Sequence, residues 1–240
     1  MSSDKHFAVF LVVIFAFSCS AGEYTKIHFP PSTSSSFPRL RLENTLPTLR
    51  EFSFCAWVRL YSLPGNYSTI LSYAISRTDN ELLFLLFNNT NKPVFRIYLG
   101  GIYKDVPCYP DWEVGTWRHI CVSWFGANEI AKTYINGEPC EEVKVGYGNL
   151  NVPGGGVLII GQEQDALDSK FDAHQAWHGD MTDIHLWDEV LCVEQIRDIG
   201  LCGEARKFRE GNIINWKETP MAIFDGVIKS RSEHCFSKVI

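Results

Sequence analysis

The chain has 240 residues, 45% hydrophobic, 13% aromatic and 21% charged, with a formal net charge of −6. That is an ordinary globular composition, and all-β sandwiches reach this length as a single domain, so a small disulfide-dominated scaffold is excluded. With 28 acidic against 22 basic residues and no block of like charge, no cationic stripe is available to follow a phosphate backbone, and nucleic acid is not expected as a primary partner.

Lys5 and His6 precede an apolar run from Phe7 to Phe17, which gives way to Ser18, Cys19, Ser20 and Ala21. A basic start, a short apolar centre and small residues form the pattern of a secretory signal peptide. Residues 1–21 are therefore expected to be removed, and the protein to be secreted into an extracellular, hemolymph- or plasma-like fluid. The run is too short to cross about 30 Å of hydrocarbon, which takes about 20 residues. No transmembrane segment is expected elsewhere.

From Lys26 onward, short runs of aromatic and β-branched residues recur between turn signals: Pro64-Gly65, Gly100-Gly101, Asn136-Gly137 and Gly154-Gly155-Gly156. That rhythm predicts an all-β sandwich of two sheets. In chain order the expected strands are 52–60, 82–87, 94–99, 117–125, 131–135 and 157–161. Several are apolar on both faces, as strands covered on both sides are. Asn136-Gly137 predicts a tight hairpin, because a type I′ turn needs positive φ at both central residues. One stretch reads as a short helix, Val193 to Ile199, with Glu194 early, Val193, Ile196 and Ile199 on one face, and Gly200 as its stop. Nothing divides the remainder, so residues 22–240 are read as one domain.

Beyond the signal segment lie Cys55, Cys108, Cys121, Cys140, Cys192, Cys202 and Cys235. Most should pair in an oxidising compartment, and the odd number leaves one thiol free or bridging to another chain. No C-x-x-C pair is present, which argues against a zinc ribbon or thioredoxin-like chemistry. Asn66 and Asn88 head sequons and are candidate glycan acceptors.

The richest polar constellation follows the strand ending at Gly161: Glu163, Gln164, Asp165, Asp168, Asp172 and Gln175. Carboxylate, amide and backbone oxygens suit a hard cation such as Ca²⁺, which takes six to eight of them. The His and Cys ligands that zinc prefers are missing from the core of this constellation. A solvated acidic loop has the same composition, so the residues alone leave both readings open. Asp79-Asn80, in the polar stretch SRTDNE before the apolar run at Leu82, is a second oxygen-rich pair, read here as a turn. His174 and His178 are spaced i, i+4.

His119-Ile120-Cys121-Val122-Ser123-Trp124 matches the H-x-C-x-S/T-W signature of the pentraxin family. Cys55, Gly161-Gln162-Glu163-Gln164-Asp165, Gly179-Asp180, Leu186-Trp187-Asp188 and Asn215-Trp216 extend the resemblance over the whole mature chain. The run KIHFPPSTSSSFPRL, from Lys26 to Leu40, most resembles the horseshoe-crab C-reactive proteins of that family. Two departures are visible: Gly126 replaces the Ser or Thr usual two residues after the tryptophan, and Asp168-Ser169 stands where the family commonly has Gly-Gly.

The resemblance implies a jelly-roll sandwich, no enzymatic activity, a Cys55–Cys121 disulfide, and assembly into cyclic, possibly stacked, homo-oligomers. It also implies two Ca²⁺ per subunit. Asp79, Asn80, Glu163, the Gln164 backbone carbonyl and Asp165 would hold the first ion, and Glu163, Asp165, Asp172 and Gln175 the second. The positions flanking the ions, which in choline-binding members carry Phe, Thr and Glu, are here Leu85, Tyr98 and Tyr103. The implied ligands are phosphocholine- or phosphoethanolamine-type head groups and sialylated or other anionic glycans on microbial surfaces, recognised in humoral innate immunity. Two readings compete. Glu163-x-Asp165-x-x-Asp168 is a near miss to the paired acids of jelly-roll glycoside hydrolases, which need two carboxyls about 5–5.5 Å apart if retaining. A structural adhesion module would need no calcium at all.

Overall fold

The computed structural model describes residues 24–63, 65–89, 92–108, 112–146, 148, 151–201 and 210–232. The signal segment, Cys202 and Cys235 lie outside these residues. The described strands form two antiparallel sheets. One runs β10 (Glu138–Pro139), β9 (Ile130–Ile135), β8 (Trp117–Phe125), β3 (Glu51–Leu60), β13 (Gly179–Trp187), β1 (Tyr24–Phe29) and β15 (Ile228–Ser232), with β11 (Val143–Lys144) also on β9. The other runs β14 (Met221–Phe224), β2 (Arg39–Leu42), β12 (Val157–Ile160), β4 (Tyr67–Ile75), β5 (Thr78–Asn89), β6 (Lys92–Leu99) and β7 (Ile102–Val106). Neighbours that are distant in sequence, such as β3 with β13 and β2 with β12, give the interleaved order of a jelly-roll sandwich.

Side chains alternate along a strand, so every second residue of β3 turns inward. Phe52, Phe54, Ala56, Val58 and Leu60 meet the other sheet, where the Phe84 ring lies 6.2 Å from Phe52 and 5.4 Å from Phe54. Each such aromatic or aliphatic side chain contributes about 1.5–3 kcal/mol on burial. The opposite face of β3 is covered too, which explains why Cys55 and Trp57 are apolar there as well. Helix α1 (Val193–Ile199) lays Ile196 and Ile199 over Cys55, Cys121 and Trp187. Gly200 ends it at φ −68, within the right-handed region. A Cβ there would lie 3.1 Å from His119 Nδ1, so glycine serves close packing here and not a left-handed stop.

Cys55 and Cys121 face each other in register across β3 and β8, with Cα atoms 4.1 Å apart, and are bonded. Cys108 is bonded to Cys140. Among the described cysteines Cys192 is free, exposed at the start of α1. Asn136 and Gly137 both have positive φ, 52 and 79, as the hairpin required. One expectation shifts. Asp79 and Asn80 lie inside β5 and not in a turn, because the chain reverses at residues 76–77. Trp124 and Trp187 are buried, whereas Trp216 packs at the edge of the core, donating from Nε1 to the Thr25 carbonyl at 2.9 Å.

Asp180 in β13 ties three strands together. Its fully buried carboxylate accepts from Lys26 and His28 of β1, both at 2.8 Å, from Arg59 of β3, and from the Tyr61 hydroxyl at 2.8 Å. Burial alone would push this carboxyl up, but the four hydrogen bonds outweigh it and hold it at about 2. A carboxyl depressed in the folded state stabilises the fold above its unfolded value, about 3.9, and loses that contribution as the pH falls through the folded one. Asp180→Asn is therefore expected to cost about 2–3 kcal/mol in urea unfolding between pH 5 and 8. The gap to wild type should narrow steadily from pH 4 to pH 2.

Candidate metal centre

The chain leaves β12 at Gly161 and re-enters the sandwich at Trp177, whose amide donates to the Gly161 carbonyl at 2.8 Å. Residues 162–176 thus form a loop closed at its base. Gly161 is required there: its φ is +86, and a Cβ would lie 2.4 Å from the Phe29 ring. Inside the loop the Gln162 amide donates to the Asp172 carbonyl at 2.8 Å. Gln164 donates to the carbonyls of Ser72 and Val157, both at 3.1 Å, and accepts from the Asp168 amide at 2.9 Å. With its side chain spent on scaffolding, Gln164 offers a site ligand only through its backbone carbonyl.

Three segments bring acids together here: β5 with Asp79, the loop start with Glu163 and Asp165, and the loop end with Asp172. Asp172 caps a short 3₁₀ turn, η1 (Ala173–Gln175), by accepting from the His174 amide at 2.9 Å. Glu163 is 5% exposed, and its carboxyl is pushed up to about 8, first by burial and then by Asp165, Asp79 and Asp172. Asp165 is raised as well, by burial and by Asp79 and Asp172, against a partial offset from the Gln175 amide and Lys170. Asp79 and Asp165 line a cavity of about 240 Å³ between the β4–β5 hairpin and the loop.

Two amide oxygens complete the set, since Asn80 Oδ1 and Gln175 Oε1 are both buried without a hydrogen-bond partner. An unsatisfied buried oxygen costs about 1–3 kcal/mol, and crowded carboxylates repel. A hard divalent cation bound among these oxygens would relieve both penalties. The residues present therefore fit calcium, one of the two readings that the acidic stretch left open.

Beside this centre runs the outer face of β5, β6 and β7. Leu85 is 1% exposed and forms its floor, while Tyr103 stands half exposed and Tyr98 in between. The two tyrosine rings are 5.3 Å apart. Tyr98 is raised by burial, partly offset by Arg96, and nearby Glu163 raises it further. Arg96 is sandwiched 4.2 Å from the rings of both Phe87 and Tyr103 and grips Asp105 through two hydrogen bonds, at 2.6 and 3.1 Å. Asp105 is thus an acid at the wall whose charge is already matched.

Sequence reasoning did not single out Arg96, Asp105, Gln162 or Ser72, nor Arg39 and Arg41 of β2. Only the alternation Arg39-Leu40-Arg41-Leu42, which turns both arginines outward, signalled any of them. Asn66 is exposed at the mouth of the β4–β5 hairpin and Asn88 is half-buried beside it, while Thr90 of the second sequon lies outside the described residues. His174 and His178 do not share a helix; His178 Nδ1 pairs with Ser62 Oγ at 2.6 Å.

Among the described residues, two other clusters hold metal-type ligands. Cys55, His119 and Cys121 are disqualified by the disulfide. His185 Nε2 lies 2.9 Å from Asp183 and 2.8 Å from Glu210, but its Nδ1 accepts the Gly211 amide at 3.3 Å. A ring that accepts at Nδ1 carries its proton on Nε2 and has no lone pair left for an ion.

Comparisons with known proteins show which sequences and folds the chain is similar to. The profile of the pentaxin family matches residues 26–230. C-reactive protein 3.3 of Limulus polyphemus is 35% identical over 94% of this chain and 93% of its own length. Human neuronal pentraxin-2 is 31% identical over 90% of this chain and 47% of its own length. The crystal structure of a native heptameric SAP-like pentraxin from Limulus polyphemus superposes with a TM-score of 0.81 at 31% identity, covering 88% of this chain and 97% of the other.

Gly161→Ala is expected to cost about 2–3 kcal/mol in urea unfolding, from the positive φ together with the clash against Phe29. Gly115→Ala, also at positive φ but with open space around it, should cost less.

Proposed function

The chain belongs to the pentraxin family, whose members are lectin-like binding proteins and not enzymes, and on that premise we propose that it is a secreted, calcium-dependent pattern-recognition lectin of humoral innate immunity. The observation that carries this reading is the convergence of Asp79, Glu163, Asp165 and Asp172 with the unpartnered oxygens of Asn80 and Gln175. In this reading residues 1–21 are a signal peptide and residues 22–240 one domain.

Asp79, Asn80, Glu163, the Gln164 carbonyl and Asp165 hold one Ca²⁺, and Glu163, Asp165, Asp172 and Gln175 a second. Glu163 and Asp165 would serve both ions, their negative charge offsetting the repulsion between two like charges. Bound there, calcium supplies a hard positive centre that attracts phosphate, carboxylate or vicinal hydroxyl oxygens of a ligand. The chain's own residues set what accompanies that anchor. Leu85 closes the pocket floor, and Tyr98 and Tyr103 present aromatic faces able to stack on a sugar or hold a cation, a contact worth about 0.5–2 kcal/mol. Because Arg96 occupies Asp105, the wall offers no free anion to a trimethylammonium group. That favours phosphoethanolamine-type and sialylated or other anionic glycans over phosphocholine.

Assembly into a cyclic homo-oligomer, as in the heptameric relative, sets weak sites side by side. Multivalent display raises apparent affinity by about 10²–10⁴ on a target that repeats its ligand.

Calorimetric titration of calcium into chelator-stripped mature protein is expected to give two binding events, both weakened by Glu163→Gln. Capture on phosphoethanolamine or sialylated beads should require calcium. Absence of binding at millimolar calcium would leave a pentraxin-fold adhesion module in place of a lectin. In the same format, Tyr103→Ala should reduce bead capture severalfold while leaving the calcium isotherm unchanged.

A further inference from the structure

Repulsion between Asp79 on β5 and the loop's Glu163, Asp165 and Asp172 pushes the loop open, so something in the protein must hold it shut. We propose that Arg39 and Arg41 of β2 are positioning residues that keep the loop in its ligand-converging form before any cation binds, an inference that rests on the calcium reading above.

Arg39 and Arg41 alternate with the inward Leu40 and Leu42, so both reach across the outer face of the sheet toward the loop. The Arg39 guanidinium lies between two aromatic rings, 4.3 Å from Phe171 and 4.3 Å from Phe224. It is pinned from behind by the Phe37 carbonyl and Asp225, both at 3.0 Å, and the Phe37 ring meets Phe171 at 5.9 Å. Phe171 immediately precedes Asp172. Arg41 pairs with Asp168 at 3.0 Å, and the Asp168 amide is bonded to Gln164, the residue between Glu163 and Asp165. One clamp thus abuts the last acid of the cluster and the other abuts the first pair.

The backbone between the clamps is held in an unfavourable shape. Asp168 and Lys170 sit at φ 54 and 56, a left-handed conformation that costs a non-glycine residue about 1–2 kcal/mol. Short loops with such conformations persist where surrounding contacts over-determine them, and here those contacts are the two arginines and the Ala166–Ser169 bridge. Arg41 has a second effect, because it matches the Asp168 charge and keeps a fifth carboxylate from adding to the cluster's repulsion. A loop already closed has less entropy to lose on binding, which strengthens affinity without a new ligand contact.

The test is limited chymotrypsin digestion of the mature protein, with cleavage after Leu167 and Phe171 followed by mass spectrometry, in chelator and in millimolar calcium. In chelator the wild-type loop should be cut slowly, and Arg39→Ala or Arg41→Ala should speed cleavage about tenfold, because proteolysis tracks the open population. Arg41→Lys keeps the ion pair and should restore protection, whereas Arg39→Lys loses the planar face between the rings and should not. Unfolding midpoints measured alongside should move little, which separates loop opening from loss of the sheet. Calcium affinity should fall in parallel with loop opening. Wild-type cleavage in chelator as fast as in the alanine variants, or failure of Arg41→Lys to protect, would overturn the proposal. If calcium protects none of the proteins, the calcium reading fails, while the chelator arms still decide the clamp.

Discussion

Repulsion among Asp79, Glu163, Asp165 and Asp172 is the constraint around which this molecule is arranged. Four acids are held at one end of the sandwich, one of them buried enough that its carboxyl rises to about 8. No chain would keep them there for the sake of its own stability. The surrounding structure reads as a set of restraints against that repulsion: a donated hydrogen bond closing the loop base, Gln162 and Gln164 fastening the loop to itself and to the sheet, and two arginines gripping it from β2. Each restraint uses a group that makes no claim on the ligand positions themselves. A binding centre is a place where a protein stores unfavourable electrostatics, and the oxygens of Asn80 and Gln175 belong to the same store.

What resists this stress is a scaffold with little freedom. The two sheets meet through interlocked aromatic rings, and the covered outer face of β3 is sealed by α1 above the Cys55–Cys121 bond. The strands nearest the loop are neighbours in space but distant in sequence, so their order depends on long-range pairing. Asp180 contributes at this point: one carboxylate satisfies donors from β1 and β3 from its place on β13, a few residues beyond the loop's return. Asp180 has its positive partners in direct contact; of the four clustered acids, Asp165 is only partly offset, by Lys170. Carboxylates in the same protein therefore sit at opposite ends of the protonation scale, about 2 and about 8, for reasons of local charge.

Much of this was readable in the sequence because it rests on local rules. Alternation and turn residues gave six of the strands, Asn136-Gly137 the hairpin, and the 193–199 pattern the helix. The candidate oxygens Glu163, Asp165, Asp172 and Gln175 were visible because they crowd into one short stretch. Asp79 and Asn80 joined them through resemblance alone, since a polar pair before an apolar run looks like a turn. Its place inside β5 depends on where the hairpin reverses, which is set by pairing with β4. Arg39, Arg41, Arg96 and Asp105 were missed for a related reason. Their roles are defined by residues far along the chain or on an adjacent strand, and a charged side chain on the outer face of a strand carries no mark of what will lie across from it.

The closed base between Gly161 and Trp177 makes the ligand-bearing segment a module inserted into the sandwich at a single doorway. Its contents can vary in length and charge while both flanking strands keep their register. Such an arrangement uncouples inheritance of the scaffold from inheritance of recognition. Related chains can rewrite about fifteen residues at this doorway, and a loop transplanted between two of them would carry Glu163, Asp165 and Asp172 with it while Asp79 and Asn80 stay behind on β5.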